Sequence, residues 1–170
     1  MSDGRSKPPT DAEPPVGGFG DDDTIARKNF AAARASFQVL IRLQYLRGQV
    51  SVWLSYLENE TTSSGAGVEG LVWGLRGLAT VALDGGWAAY AAMCSECSER
   101  LVRMRRVGFP SADSLRLLGA WLASSDCYLR QPGNAGVVAD LVARFGALPW
   151  EDTYNLTLQS QMFRALLLPA

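Results

Sequence analysis

The sequence predicts an all-α protein, an up-and-down antiparallel bundle of about five to six helices. Three observations support this fold class. Apolar residues recur at helical spacing, turn-forming clusters separate the periodic segments, and no alternating run typical of β-strands appears. Apolar types make up 48% of the 170 residues and charged types only 19%, so the chain can form a core.

The predicted boundary between tail and bundle lies at residue 25. Residues 1–24 contain four of the eight prolines and carry six acidic and two basic side chains. They hold too little apolar surface to offset the entropy lost on ordering. We therefore expect a disordered Pro/Asp-rich tail at 1–24 and a helical bundle at 25–170.

The first two helices follow from the pattern between residues 25 and 83. Residues 25–58 lack proline, and Asp22, Asp23 and Thr24 are suited to cap the helix that they predict. Residues 59–67 (NETTSSGAG) predict a loop, and residues 68–83 predict a second helix that ends at an Asp-Gly-Gly turn. The apolar positions of the first helix are Phe30, Phe37, Leu40, Ile41, Leu54 and Leu57.

The third helix is predicted over residues 87–107. The fourth begins at a cap formed by Ser111 or Asp113 and ends at the Pro-Gly-Asn turn at 132–134. A fifth, shorter helix follows that turn, and a last one is predicted over 156–168. The apolar face of the third comprises Trp87, Tyr90, Cys94, Cys97, Leu101 and Met104. Those of the fourth and fifth comprise Leu115, Leu118, Leu122, Leu129, Val138, Leu141, Val142 and Phe145.

Composition excludes several classes of function. The chain contains no histidine, which removes Ser/His and Cys/His catalysis, imidazole metal sites and phosphohistidine. A net charge of -1 does not favour nucleic-acid binding, and no run approaches the ~18 apolar residues of a membrane span. Three cysteines and no export signal in residues 1–24 indicate a cytoplasmic protein with reduced thiols.

The Cys94-Ser95-Glu96-Cys97 motif is the strongest candidate for chemistry. Zinc needs about four ligands, and Cys127 is the one further cysteine, so the cysteines alone cannot complete a site. Both residues of the motif also fall on the apolar face of the third helix, which favours core packing. We identify no catalytic, metal or cofactor site and expect a protein without enzymatic activity.

Residues 72–79 (VWGLRGLA) and 83–87 (LDGGW) resemble the centre of a histidine phosphotransfer (Hpt) domain. In that family a helix carries a histidine, a basic residue three positions later and glycine at the fourth. A turn then leads into an antiparallel second helix. Arg76 matches the basic position and Gly77 the glycine. The layout is most similar to the Hpt-like modules near the N-terminus of chemosensory kinases that control type IV pili, and it covers residues 25–165.

The chain departs from this family at the decisive position, because Trp73 stands where the family carries its histidine. An indole nitrogen is only a donor and cannot accept a phosphoryl group. The resemblance therefore implies a degenerate Hpt domain, a scaffold or adaptor that docks a receiver domain or signalling scaffold without phosphotransfer. The implied partner surface comprises Trp73, Gly74, Arg76 and Gly77. Alternatively, Trp73 lies inward, and Leu71 or Val72 faces outward.

Two further expectations concern partners. A second copy of the chain is a candidate, since exposed apolar surface on the bundle would favour a homodimer. Residues 69–74 (EGLVWG) and 128–134 (YLRQPGN) also resemble the homology segments of Bcl-2-like proteins, although Val72 and Leu75 replace the Asn and Arg of the first motif. The alternative function is thus a viral Bcl-2-like apoptosis regulator that binds amphipathic helices in a groove.

Overall fold

The structure is a computed structural model that describes residues 20–59, 65–108, 110–148 and 156–167. Contacts divide the chain into residues Met1–Arg34 and Ala35–Ala170, and the packing described below lies within the second unit. The helices of the described residues are α1 (Gly20–Asn59), α2 (Gly65–Asp84), α3 (Ala88–Val107), α4 (Ala112–Arg130), α5 (Ala135–Gly146) and α6 (Leu156–Leu167).

Helix α2 carries glycine where α1 approaches it most closely. A Cβ atom at Gly74 would lie 2.7 Å from Val50 Cγ2, and one at Gly67 would lie 2.5 Å from Leu57 Cδ2. These distances are shorter than van der Waals contact, so the two glycines allow the close approach of the helices. Residue numbers on α1 fall as those on α2 rise, so the two helices run antiparallel.

Helix α4 packs against α1 and α3. A Cβ atom at Gly119 would lie 3.1 Å from Leu54 of α1, and Arg47 Nε of α1 lies 3.2 Å from Asp126 Oδ1. On the other side, the ring of Tyr128 packs against Tyr90 of α3 at a centroid distance of 5.8 Å. Because α2 also packs on α3, contacts link the first four helices into one bundle.

Helices α5 and α6 complete the fold by packing on α4 and α3. The ring of Trp121 in α4 lies 5.9 Å from that of Phe145 in α5. Tyr128 Oη donates a hydrogen bond of 3.2 Å to the carbonyl oxygen of Leu166 in α6. This bond satisfies a buried hydroxyl and fixes the end of α6 against the bundle.

The predicted fold class is confirmed: the described residues form six helices and no strand. The predicted turns and cap are also confirmed. Gly86 and Gly133 have φ values of 82° and 84°, a region that favours glycine, and Ser114 N donates a 3.2 Å hydrogen bond to Ser111 Oγ. The predicted core faces of α4 and α5 are buried.

Two predicted helix starts are wrong. Helix α1 begins at Gly20, so Asp22, Asp23 and Thr24 lie inside the helix and not at its cap. Helix α2 begins at Gly65 and not at residue 68, because Gly67 and Val68 are already buried in its packing. Residues 1–19 of the predicted tail and 60–64 of the predicted loop lie outside the described residues.

The apolar positions of α1 divide between two opposite faces. Leu54 and Leu57 are buried in the core, whereas Phe37 and Ile41 are exposed. Leu40 is partly buried, and the side chain of Phe30 lies outside the described part of the chain. Helical spacing therefore identified α1 correctly but did not indicate which apolar residues the bundle covers.

Candidate functional site

Trp73 lies on the outer face of α2, between the contacts of that helix with α1 and α3. Its side chain is 70% exposed, whereas Leu71 and Val72 are buried. The alternative in which Trp73 lies inward is therefore wrong. Glu69 precedes Trp73 by one turn and Arg76 follows it by one turn, and both are exposed. We call Glu69, Trp73 and Arg76 the α2 row.

The four residues predicted to bind a partner fall into two pairs. Trp73 and Arg76 are exposed, but Gly74 and Gly77 lie on the side of α2 that faces α1. Gly74 packs under Val50, while a Cβ atom at Gly77 would meet only Leu46 at 3.9 Å, an ordinary contact. Gly74 thus has a packing role within the bundle, and the accessible part of the predicted surface is the α2 row.

An open groove between α2 and α3 begins at Arg76 and encloses about 470 Å³. Its wall on α3 consists of small side chains, so a partner could approach the helix backbone closely. The lining residues are Arg76, Ala79, Thr80 and Leu83 from α2, and Ala88, Ala91, Ala92 and Ser95 from α3. Sequence reasoning missed this groove, although the paired alanines of residues 87–93 (WAAYAAM) were a visible signal.

The charges of the α2 row are not equivalent. Arg105 Nη1 of α3 donates to Glu69 Oε1 at 2.5 Å, so this carboxylate is neutralised within the protein. Arg76 has no ion-pair partner among the described residues. The accessible charge beside Trp73 is consequently the positive charge of Arg76, which suits an acidic group on a partner.

The two cysteines of the Cys94–Cys97 motif lie inside the bundle. Cys94 and Cys97 are fully buried, as predicted. Burial raises the pKa of the Cys94 thiol to about 12 and that of Cys97 well above its usual value. A thiol that stays protonated is a poor nucleophile and a poor metal ligand. Within the described ranges, no three His, Cys, Asp or Glu residues are grouped to hold a metal ion.

Tyr90 and Ser125 form a buried hydrogen bond between α3 and α4, with 2.5 Å between Oη and Oγ. Burial raises the pKa of Tyr90 well above its usual value, so its hydroxyl stays neutral. Each hydroxyl satisfies the other in the apolar core. The pair therefore joins two helices through a hydrogen bond that is buried from solvent.

Helix α2 also has the length and composition of a membrane-crossing segment, the one such helix among the described residues. Half of its most apolar window is buried inside the bundle. A core helix of a globular protein passes the same test, and the contacts of Gly74 and Leu75 place this side of α2 in such a core.

The fold and the site thus define a six-helix bundle, within the described residues, that presents a Trp–Arg row beside an apolar groove. Comparisons of the chain with protein-family models, with curated proteins and with solved structures give no match. The function is therefore argued from the side chains of the α2 row and the groove.

Proposed function

We propose that the chain is a non-catalytic interaction module, a degenerate Hpt domain that acts as a scaffold or adaptor in signalling. The partner is a receiver domain or a signalling scaffold, which binds the α2 row and the adjoining groove. The setting suggested by the resemblance is a chemosensory system that controls type IV pili. The observation that carries the proposal is the 70% exposure of Trp73 at the position that resembles the family's histidine.

The composition of the α2 row favours protein binding. Trp and Arg are enriched among the residues that contribute most to protein interfaces, since each covers a large area and can also donate hydrogen bonds. Trp73 exposes most of a side chain that can bury ~250 Å². Arg76, one turn away, supplies a charge that can orient an acidic partner surface.

The groove supplies the second part of the proposed surface. Four alanines and a serine in its wall leave the backbones of α2 and α3 accessible to a helix or loop of the partner. Leu83 lies at its far end and is 62% exposed. A partner element that follows the groove from Arg76 would bury the apolar side chain of Leu83 at the far end.

Phosphotransfer is not part of the proposed function. The chain contains no histidine, and the indole of Trp73 has no lone pair that could attack phosphorus while remaining aromatic. A receiver domain could therefore dock on this face without losing its phosphoryl group to it. This distinguishes a scaffold from a phosphorelay component.

We do not carry the Bcl-2-like function forward as a second proposal. A central apolar helix wrapped by the others would support that function. In the described residues, α2 is the most apolar of the long helices, but it exposes the whole α2 row along one face. Binding of an amphipathic helical peptide is nevertheless one of the outcomes in the experiment below.

Calorimetric titration of the purified chain with a panel of receiver domains, phosphorylated and unphosphorylated, tests the proposal. Trp73→Ala and Arg76→Glu should each weaken binding by at least ~30-fold, the effect of an interface hot spot. Leu158→Ala removes a 43% exposed apolar side chain on α6, and Arg116→Glu reverses an exposed charge on α4; both should bind normally.

Equal binding by all four variants would show that the α2 row is not the docking surface. Incubation with a receiver domain that carries a radiolabelled phosphoryl group should leave no label on the chain. Transfer of the label to the chain would contradict the proposal that it binds without phosphotransfer. Tight binding of a pro-apoptotic helical peptide, with no binding of any receiver domain, would favour the Bcl-2-like function instead.

A further inference from the structure

Helix α1 is apolar on two opposite faces. Toward the bundle it buries Leu43, Val50, Leu54 and Leu57. On the opposite face, five large apolar side chains are each between 47% and 66% exposed. These residues, with a glycine at the centre, form what we call the α1 stripe: Phe37, Ile41, Tyr45, Gly48, Val52 and Tyr56. Their steps of three and four residues place them on one line along the helix.

The exposed area of the α1 stripe is large for an isolated bundle. An aromatic side chain can bury ~200 Å² and an aliphatic one somewhat less, so the exposed fractions give about 500 Å² of apolar surface per copy. This lies near the upper end of the largest apolar patches of monomers, ~300–600 Å².

We propose that the α1 stripe pairs with the same stripe of a second copy, in an antiparallel arrangement with two-fold symmetry. The axis crosses the stripe midway between Tyr45 and Gly48. In this register Phe37 of one copy faces Tyr56 of its partner copy, Ile41 faces Val52, and each Tyr45 faces a Gly48. The stripe is therefore complementary to itself, as an isologous interface requires.

The centre of the stripe supports this register. A Cβ atom built at Gly48 would meet nothing within 4 Å, so open space lies beside this glycine. Tyr45, the most exposed member of the stripe, projects one turn before it. The antiparallel register sets each Tyr45 ring in the space beside the other copy's Gly48, and this happens twice across the axis.

The flanks and the ends of the stripe agree with self-pairing. Arg42 falls opposite Ser51 in this register, so the exposed basic residue beside the stripe does not face its own copy. At the far end, Tyr56 packs edge-on against Trp53 at a ring distance of 6.2 Å. This contact orders the Tyr56 ring before association, which reduces the entropy lost on binding.

The area is of the size that a dimer needs. Two stripes bury about 1,000 Å² of apolar side chain, and the flanking polar residues add to it. Stable interfaces bury ~1,200–2,000 Å² in total. The α1 stripe and the α2 row lie on different helices, so substitutions in one can be tested separately from substitutions in the other.

Cysteine cross-linking of the full chain tests the register. The background is Cys127→Ser, which removes the exposed thiol and keeps the two buried ones. In Ile41→Cys/Val52→Cys, the two new thiols lie about 16 Å apart along one helix, too far for a bond within a copy, since the Cα atoms must lie within ~7 Å. Mild oxidation should give a disulfide-linked dimer in high yield. Phe37→Cys/Val52→Cys, which is out of register, should stay monomeric on denaturing gels.

Sedimentation velocity measures the association itself. The unmodified chain should sediment as a dimer at micromolar concentration, and Tyr45→Glu should weaken the dimer at least ~tenfold, because it places two carboxylates at the axis. Trp73→Glu is the matched control, with a comparably exposed aromatic residue on α2, and should leave the dimer intact. Its failure to bind a receiver domain would concern the proposed function alone.

Three results would overturn the dimer. The first is a monomer at every concentration, in which case the stripe serves a different partner or is covered by residues 1–19 of the same chain. The second is efficient cross-linking of the single variant Val52→Cys, which would indicate parallel pairing. The third is loss of the dimer in Trp73→Glu but not in Tyr45→Glu, which would place the interface on α2.

Discussion

Two alanine substitutions on α2, Gly74→Ala and Gly77→Ala, should change stability in opposite directions. Both replace glycine in a helix interior, so both gain about 1 kcal/mol of helix propensity. They differ in what the new Cβ atom meets. At Gly77 the nearest atoms are those of Leu46 at 3.9 Å, but at Gly74 Val50 Cγ2 lies at 2.7 Å.

The side chain of Val50 cannot move easily to make room for the Cβ atom that Gly74→Ala adds. It is fully buried, and a valine in a helix has one strongly preferred rotamer. Overpacking of this kind costs about 1–3 kcal/mol. After the gain in propensity, we expect Gly74→Ala to lose up to about 2 kcal/mol of unfolding free energy, and Gly77→Ala to gain about 0.5–1 kcal/mol.

Urea unfolding followed by far-UV circular dichroism measures both changes as shifts of the midpoint at constant slope. In thermal melts, the two variants should differ by roughly 4–8 °C. The double variant Gly74→Ala/Val50→Ala should be more stable than the sum of its single effects, because the shortened side chain relieves the contact. Equal shifts of the same sign for both single variants would refute the packing argument.

Three further outcomes test the interior and the surface. Tyr90→Phe should lose about 1–3 kcal/mol in urea unfolding, because it leaves the Ser125 hydroxyl buried without its partner; an unchanged midpoint would contradict this. A thiol reagent should label Cys127 in the folded chain and the other two cysteines only after denaturation, so fast labelling of all three would contradict their burial. Hydrogen bonds from Arg144 hold the pKa of Asp140 in the folded protein below its usual value. These bonds therefore stabilise the folded state fully at pH values above the pKa of the unfolded carboxyl. The stabilisation is lost as the pH falls through the lower pKa of the folded protein. Melting temperature in Asp140→Asn should accordingly depend less on pH in the acid range than it does in the unmodified chain.

The helical segments and their turns could be predicted because they depend on local properties. Helical spacing of apolar residues, the Ser111 cap and the glycines that require positive φ act within a few residues of each other along the chain. The ends of α1 and α2 could not be predicted as well. At the start of α2, tertiary packing of Gly67 and Val68 outweighs the low helix propensity of the surrounding residues.

The candidate site was only partly predictable for the same reason. The spacing of residues 73, 76 and 77 indicated a family resemblance, but spacing alone left the direction of Trp73 open. The structure decides it, because α1 packs on the glycine side of α2 and the bundle buries Leu71 and Val72, which leaves the side of Trp73 exposed. The alanine pairs of residues 87–93 were visible in the sequence, but the groove itself exists only where two antiparallel helices bring these alanines and Leu83 together.

The sequence by itself determined that this protein is helical and that it lacks imidazole chemistry, since periodicity and composition are properties of the chain. The tertiary structure alone decided that Gly74 packs against Val50, that Trp73 faces outward, and that α1 leaves a second apolar face uncovered. The physical reason is that helical spacing sets the angles between side chains around an axis. Which of those angles is covered depends on neighbours that are distant in sequence.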